Sequence, residues 1–116
     1  MICHVTVHTP RLAETVEFYQ WLLDLPISRR FPTPEGEIVF LGGNETKFEL
    51  IGDAKAENVA AKGLTVGFAV ESLDEKLAML DGKGVAHSPV ISPNPSARFA
   101  YFTDLNGMGI QLFEGK

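Results

Sequence analysis

Leu12, Val16 and Tyr19 mark the apolar stripe of one amphipathic segment, and Leu73, Leu77 and Leu80 mark that of a second, each 61 positions after its counterpart. Three matched core positions at a single offset make the chain an internal repeat. With 116 residues in all, each half must fold as a similar unit, and neither is large enough for an independent core of ordinary size.

The segments around these stripes can be read in order. Ile2 to His8 alternates His4, Thr6 and His8 with Cys3, Val5 and Val7, which predicts a half-buried strand. Thr9 offers an N-cap and Pro10 the favoured first helical position, and Pro26 stops the helix. Strands are predicted over Ile27 to Phe31, Glu37 to Leu41 and Thr46 to Ile51, joined by the turns Pro32 to Gly36 and Gly42-Gly43-Asn44. A polar, Ala-rich connector follows. The order then starts again with a strand over Leu64 to Val70 and a helix opened by the Ser72/Glu75 capping box and closed by Gly84. Strands over Pro89 to Ser92, Arg98 to Thr103 and Met108 to Phe113 complete the second half. Asn106-Gly107, between the last two, is a tight-turn signal.

The expected fold class is therefore α+β: two βαβββ modules, residues 1–52 and 64–116, with a linker over 53–63. Each mixed sheet should carry its helix on the outer face and curve around a shared cavity with the other. Val5/Val7 and Val66/Phe68/Val70 have the parity to meet the helices, as do Phe48/Leu50 and Ile110/Leu112 in the last strand of each module. The opposite parity turns His4, Thr6, His8, Lys47, Glu49, Thr65 and Gln111 toward the cavity. Gln111 is the one polar side chain of its strand, and an amide there needs partners or a cavity to face.

Composition removes several classes of function. A net charge of −5 disfavours phosphate-backbone binding, since nucleic-acid binders carry a basic face; Arg29-Arg30, the sole adjacent basic pair, reads as strand surface. Nowhere does an apolar run approach the roughly 20 residues of a membrane helix, and the N-terminus has no charged-then-apolar signal pattern. The single Cys3 forms no intrachain disulfide and has the parity of a small buried hydrophobe rather than a nucleophile. The expected location is the cytoplasm, with neither membrane nor nucleic acid as partner. A Gly-x-Ser-x-Gly elbow, a Walker loop, a dinucleotide fingerprint and paired-cysteine zinc spacing are all missing from the sequence.

The stretches CHVTVHTPRLAETVEFYQWLLDLPI, FLGGNETKFELI and YFTDLNGMGIQLFE resemble the vicinal oxygen chelate superfamily. That superfamily holds glyoxalase I, methylmalonyl-CoA epimerase, extradiol dioxygenases, fosfomycin-resistance transferases and bleomycin-resistance proteins. The resemblance spans essentially the whole chain. It implies a divalent metal between the modules, with one ligand from each first strand and one from each last strand. Carried over position by position, those slots fall on His4 and Glu49, then on Thr65 and Gln111. Gln111 follows Glu49 by 62 residues rather than 61, which implies a one-residue insertion in the second module. A Thr hydroxyl is a poor neutral donor, and Gln supplies a carbonyl oxygen where a carboxylate would supply charge. A metal such as Ni, Mn, Zn or Fe would rest on His4, Glu49 and Gln111 alone. Glu49 would then have to choose between holding it and acting as the catalytic base.

Three readings stay open at this point. The first is a glyoxalase/bleomycin-resistance-like protein that binds a small organic molecule with residues His4, Thr6, His8, Lys47, Glu49, Thr65 and Gln111, with no essential metal. The second is a metal-dependent lyase, isomerase or dioxygenase of the same superfamily. The third is a non-catalytic structural or interaction dimer, and a homodimer is expected in every case. His4 and Glu49 can also be read as a plain hydrogen-bonded pair. Lys47 and Arg98 can be read as anion contacts or as solvated rim, and His87, in a Ser/Pro-rich loop, as exposed.

Overall fold

The computed structural model describes residues 1–115. The chain divides into two compact units, the first Met1–Val59 and the second beginning at Ala60. Unit 1 runs β1 (His4–Thr9), α1 (Leu12–Leu23), β2 (Ile27–Thr33), β3 (Gly36–Leu41) and β4 (Lys47–Gly52). Unit 2 repeats the order as β5 (Val66–Ala69), α2 (Leu73–Gly82), β6 (Ile91–Asn94), β7 (Ala97–Thr103) and β8 (Gly109–Gly115).

Each unit is a mixed four-stranded sheet, ordered β1-β4-β3-β2 in one and β5-β8-β7-β6 in the other. The first and last strands of each βαβββ run pair in parallel at one side of the sheet; the other pairings are antiparallel. The two-residue alternation read from the sequence holds in all four of these strands. Val7, Phe48 and Leu50 are buried in unit 1, with Ile110 and Leu112 their equivalents in unit 2, while His4, Thr6 and His8 are exposed.

The helices supply the other wall of each core. Val16, Tyr19 and Leu22 of α1 are buried, and Tyr19 meets Phe48 of β4 edge to face with ring centroids 5.1 Å apart. Leu73, Leu77 and Leu80 of α2 are buried likewise, so the repeated stripe is the buried stripe. Ser72 caps α2 as expected, its hydroxyl accepting from the Glu75 amide at 3.2 Å, and Gly84 follows the helix in the left-handed region at φ 71°. The start of α1 differs from the expectation. Its N-cap is Arg11 and not Thr9, because the Thr9 hydroxyl accepts from the Arg11 amide two residues on and holds Pro10 in the turn before the helix. Pro32, expected in a turn, lies inside β2, where an edge strand tolerates a residue with no amide hydrogen.

The Asn-Gly signal marks a real turn. The Gly107 amide donates to the Asp104 carbonyl at 3.0 Å, and Gly107 takes φ 81°. The Asp104 carboxylate, buried in the loop, accepts from the Asn106 and Met108 amides at 2.8 and 2.9 Å. The predicted one-residue insertion falls here. Phe40 pairs with Glu49, nine residues on, whereas Tyr101 pairs with Gln111, ten residues on, so the extra residue lies in the connection between β7 and β8.

Candidate functional site

Strand register assembles the open face of unit 1 from residues far apart in sequence. Thr6, Glu49, Phe40 and Arg29 are consecutive Cα partners across β1, β4, β3 and β2 and form one row on the face opposite α1. His8, Ile51, Ile38 and Phe31 form the next row, and His4 and Lys47 begin the one before.

Glu49 is the centre of this face. Its side chain keeps only 12% of its free exposure, and its Oε1 accepts a hydrogen bond from the Thr6 hydroxyl at 2.5 Å and lies 3.4 Å from His4 Nε2. The imidazole of His4 is 41% exposed and turns its edge onto the Phe40 ring, with centroids 5.8 Å apart and planes at 78°. This combination offers a ligand a carboxylate acceptor, an imidazole donor or acceptor and an aromatic surface. His8 and Asp53 make a second, looser His–carboxylate contact at 3.8 Å. Lys47, though it shares the parity of Glu49, folds its ammonium back onto the Gly43 and Glu45 carbonyls of the β3–β4 turn, so its charge is engaged there. Cys3, expected to be buried, precedes β1 and is exposed, with Sγ 3.3 Å from His4 Nδ1. It lies one residue outside β1, its carbonyl accepting from the Lys47 amide at 3.0 Å, and its side chain is not covered there.

The matching row in unit 2 is Gly67, Gln111 and Tyr101. Where Thr6 donates to Glu49, Gly67 has no side chain, and a Cβ on it would come within 3.1 Å of Gln111 Oε1. The other end of the amide, Nε2, donates to the Tyr101 hydroxyl at 3.3 Å. Tyr101 and Phe113 are among the exposed large hydrophobics, with Phe99 edge-on to the first and stacked against the second. Thr65 is exposed one residue before β5. Tyr101, Phe40 and Arg29 escaped sequence reading because only pairing register shows that they flank Gln111 and Glu49.

Two other charged groups turn out to be structural. Arg98 pairs with Asp74 at 2.9 Å and Glu114 at 3.3 Å, which raises its pKa, chiefly through the hydrogen bond to Asp74. Glu114 also accepts from the Leu73 amide at the start of α2. His87, expected to be exposed, is half-buried in a bridge to Phe102 of β7, with Nε2 2.8 Å from Asp81 and Nδ1 2.7 Å from the Ser88 carbonyl. The carbonyl first and the Asp81 carboxylate after it hold its pKa up, against the opposing effect of burial.

The donor chemistry does not fit a tightly held divalent ion. At the four positions carried over as ligands, unit 1 supplies the His4 imidazole and the Glu49 carboxylate, already hydrogen bonded to Thr6, while unit 2 supplies the Thr65 hydroxyl and the Gln111 amide, engaged with Tyr101. Hard and borderline divalent ions take three or more strong donors, with charge among them. Among the described residues no three His, Cys, Asp or Glu side chains group in a way that could hold a metal ion. No helix among them is long and apolar enough to cross a membrane.

Residues 1–112 match the model of the Glyoxalase/Bleomycin resistance protein/Dioxygenase superfamily. No match is found among curated proteins. Three solved structures show the breadth of the fold. The trypanothione-dependent glyoxalase I of Leishmania major is 22% identical with a TM-score of 0.78, the match covering 98% of this chain and 86% of that one. The fosfomycin resistance protein FosX of Listeria monocytogenes is 18% identical with a TM-score of 0.74, over 97% and 91% of the two chains. TnmS3, an antibiotic-binding protein from a Streptomyces species, is 18% identical with a TM-score of 0.73, over 100% and 96%. At these identities the likeness is one of fold.

Proposed function

The chain belongs to the Glyoxalase/Bleomycin resistance protein/Dioxygenase superfamily, and we propose that it binds a small organic molecule on the open strand faces carrying Glu49 and Gln111, without a resident divalent metal. The observation that carries this reading is the amide at position 111. It occupies the register position that Glu49 holds in the first unit, and its hydrogen bond goes to Tyr101. An amide beside a phenol recognises a polar group on a ligand but neither anchors a metal nor abstracts a proton. TnmS3, which shares the fold, is described as an antibiotic-binding protein, so binding without a stated reaction has a precedent on this scaffold.

Within unit 1, His4, Thr6 and Glu49 supply directional polar contacts and Phe40 supplies flat apolar surface, the mixture that small-molecule sites use; within unit 2, Gln111 and Tyr101 pair an amide with an aromatic ring. A homodimer belongs to the same proposal, supported by the exposed apolar side chains of Leu64, Val90 and Ile91. Thermal melting against a library of small organic compounds tests the reading, because a molecule that binds the native state raises its melting temperature. Compounds that stabilise the wild type but not Glu49→Ala are expected. If no compound class stabilises the protein, the structural-dimer reading takes its place.

A further inference from the structure

A bulge in β2 decides where two adjacent arginines point. Ile27 pairs with Leu41 and Arg29 with Phe40, so two residues of β2 stand against one of β3, with Ser28 the extra residue. Were the pairing regular from Ile27 onward, Ser28 would face Phe40 and Arg29 would stand opposite Val39, which is fully buried against the helix side. With the bulge, Arg30 takes the place opposite Val39, and its guanidinium forms a fork with Glu37 through two hydrogen bonds of 2.7 Å. Arg29 is turned instead onto the face of Phe40, Glu49 and Thr6.

We propose that Arg29 is the anchor for a carboxylate on the molecule bound there, an inference that rests on the small-molecule reading above. Its guanidinium stands 5.3 Å from the ring centroids of both Phe31 and Phe40, which themselves lie 6.4 Å apart. Aromatic faces hold a guanidinium in place through its plane and leave its N–H edge free to donate. Among the described residues no carboxylate pairs with Arg29, in contrast to Arg30 with Glu37 and Arg98 with Asp74 and Glu114. An orientated guanidinium edge matches a planar carboxylate through two parallel hydrogen bonds.

The row also sets the rest of the ligand. Glu49 and Arg29 are separated by Phe40, two strand spacings or roughly 9.5 Å between backbones. The molecule that satisfies both ends carries a carboxylate at one end, a hydroxyl or amine that donates to Glu49 at the other, and a flat apolar body between. In unit 2 the strand equivalent to β2, β6 at Ile91–Asn94, carries no basic residue to match Arg29.

The probes that test this are 3-(4-hydroxyphenyl)propionate and its carboxamide, titrated by calorimetry with NMR shifts followed at His4 and Glu49. The carboxylate is expected to bind wild type at least about tenfold more tightly than the amide, the worth of a charge-assisted pair. Arg29→Gln should abolish that preference, bringing carboxylate affinity down to about that of the carboxamide. Arg29→Lys, which keeps the charge but loses the fork, should keep part of it. Equal binding of the two probes, binding of neither, or a preference that survives Arg29→Gln overturns the proposal. If other compounds shift His4 and lose binding in Glu49→Ala whatever stands at position 29, the small-molecule reading survives while the role given to Arg29 does not.

Discussion

Glu49 and Gln111 hold the same place in their two sheets: Glu49 lies between Thr6 and Phe40 in the pairing register, and Gln111 between Gly67 and Tyr101. The two sites differ in chemistry at every member of the row. A carboxylate held by a hydroxyl stands in one, and an amide held by a phenol in the other. The repeat makes the frames alike, while the side chains differ, with charge in unit 1 and neutral polarity in unit 2.

The Thr6–Glu49 contact should be measurable as a coupling. Thr6→Val and Glu49→Gln are each expected to lower stability by about 1 kcal/mol, equivalent to roughly 4 °C in melting temperature, because each weakens one charge-assisted hydrogen bond. The double variant should cost less than the sum of the two. A denaturant double-mutant cycle with a coupling near zero would show that the hydroxyl and carboxylate act independently.

The C-terminal hairpin depends on one buried carboxylate. Asp104→Ala strips the acceptor from the Asn106 and Met108 amides and leaves both without that partner in a closed loop, at a cost of about 2–3 kcal/mol. Urea unfolding checks this. Asp104→Asn, which retains one carbonyl oxygen, is expected to lose less.

His87 makes stability depend on pH. Both ring nitrogens face acceptors, the Ser88 carbonyl and Asp81, which favours the imidazolium and raises the pKa above its ordinary value near 6.5. A group whose folded pKa is raised adds stability that is fully present below the unfolded pKa and is lost as pH rises through the folded value. Melting temperatures of wild type and His87→Gln should therefore differ most near pH 5.5 and converge as pH climbs above the raised value. A gap that is constant across that range would contradict the protonated state of His87.

Much of this was legible in the sequence, for reasons that are local. Period-two alternation in Val5/Val7 and Phe48/Leu50 and the matched helix stripes depend on residue type alone, so they told which face of each strand is buried. What escaped depended on backbone events that no side chain announces. The extra residue at Ser28 reverses Arg29 and Arg30 between the two faces, and a one-residue slip always moves every following side chain to the other side. Arg29-Arg30 therefore read as undifferentiated surface, although one is paired with Glu37 and the other stands over Phe31 and Phe40. His87 was missed for a related reason. Its partners Asp81 and Ser88 are near in sequence, but the bridge to Phe102 that half-buries it is a tertiary contact.

Metal content separates a metal-free binding site from a metal-dependent one. The protein purified without a metal-affinity tag would be subjected to elemental analysis, then melted in the presence of Mn²⁺, Ni²⁺, Zn²⁺ or EDTA. With Gln111 where a carboxylate would be needed and Glu49 engaged by Thr6, far less than one metal per chain is expected, with a melting temperature that none of these additions moves. One equivalent of bound metal, whose removal lowers the melting temperature and whose retention requires Glu49, would contradict that expectation.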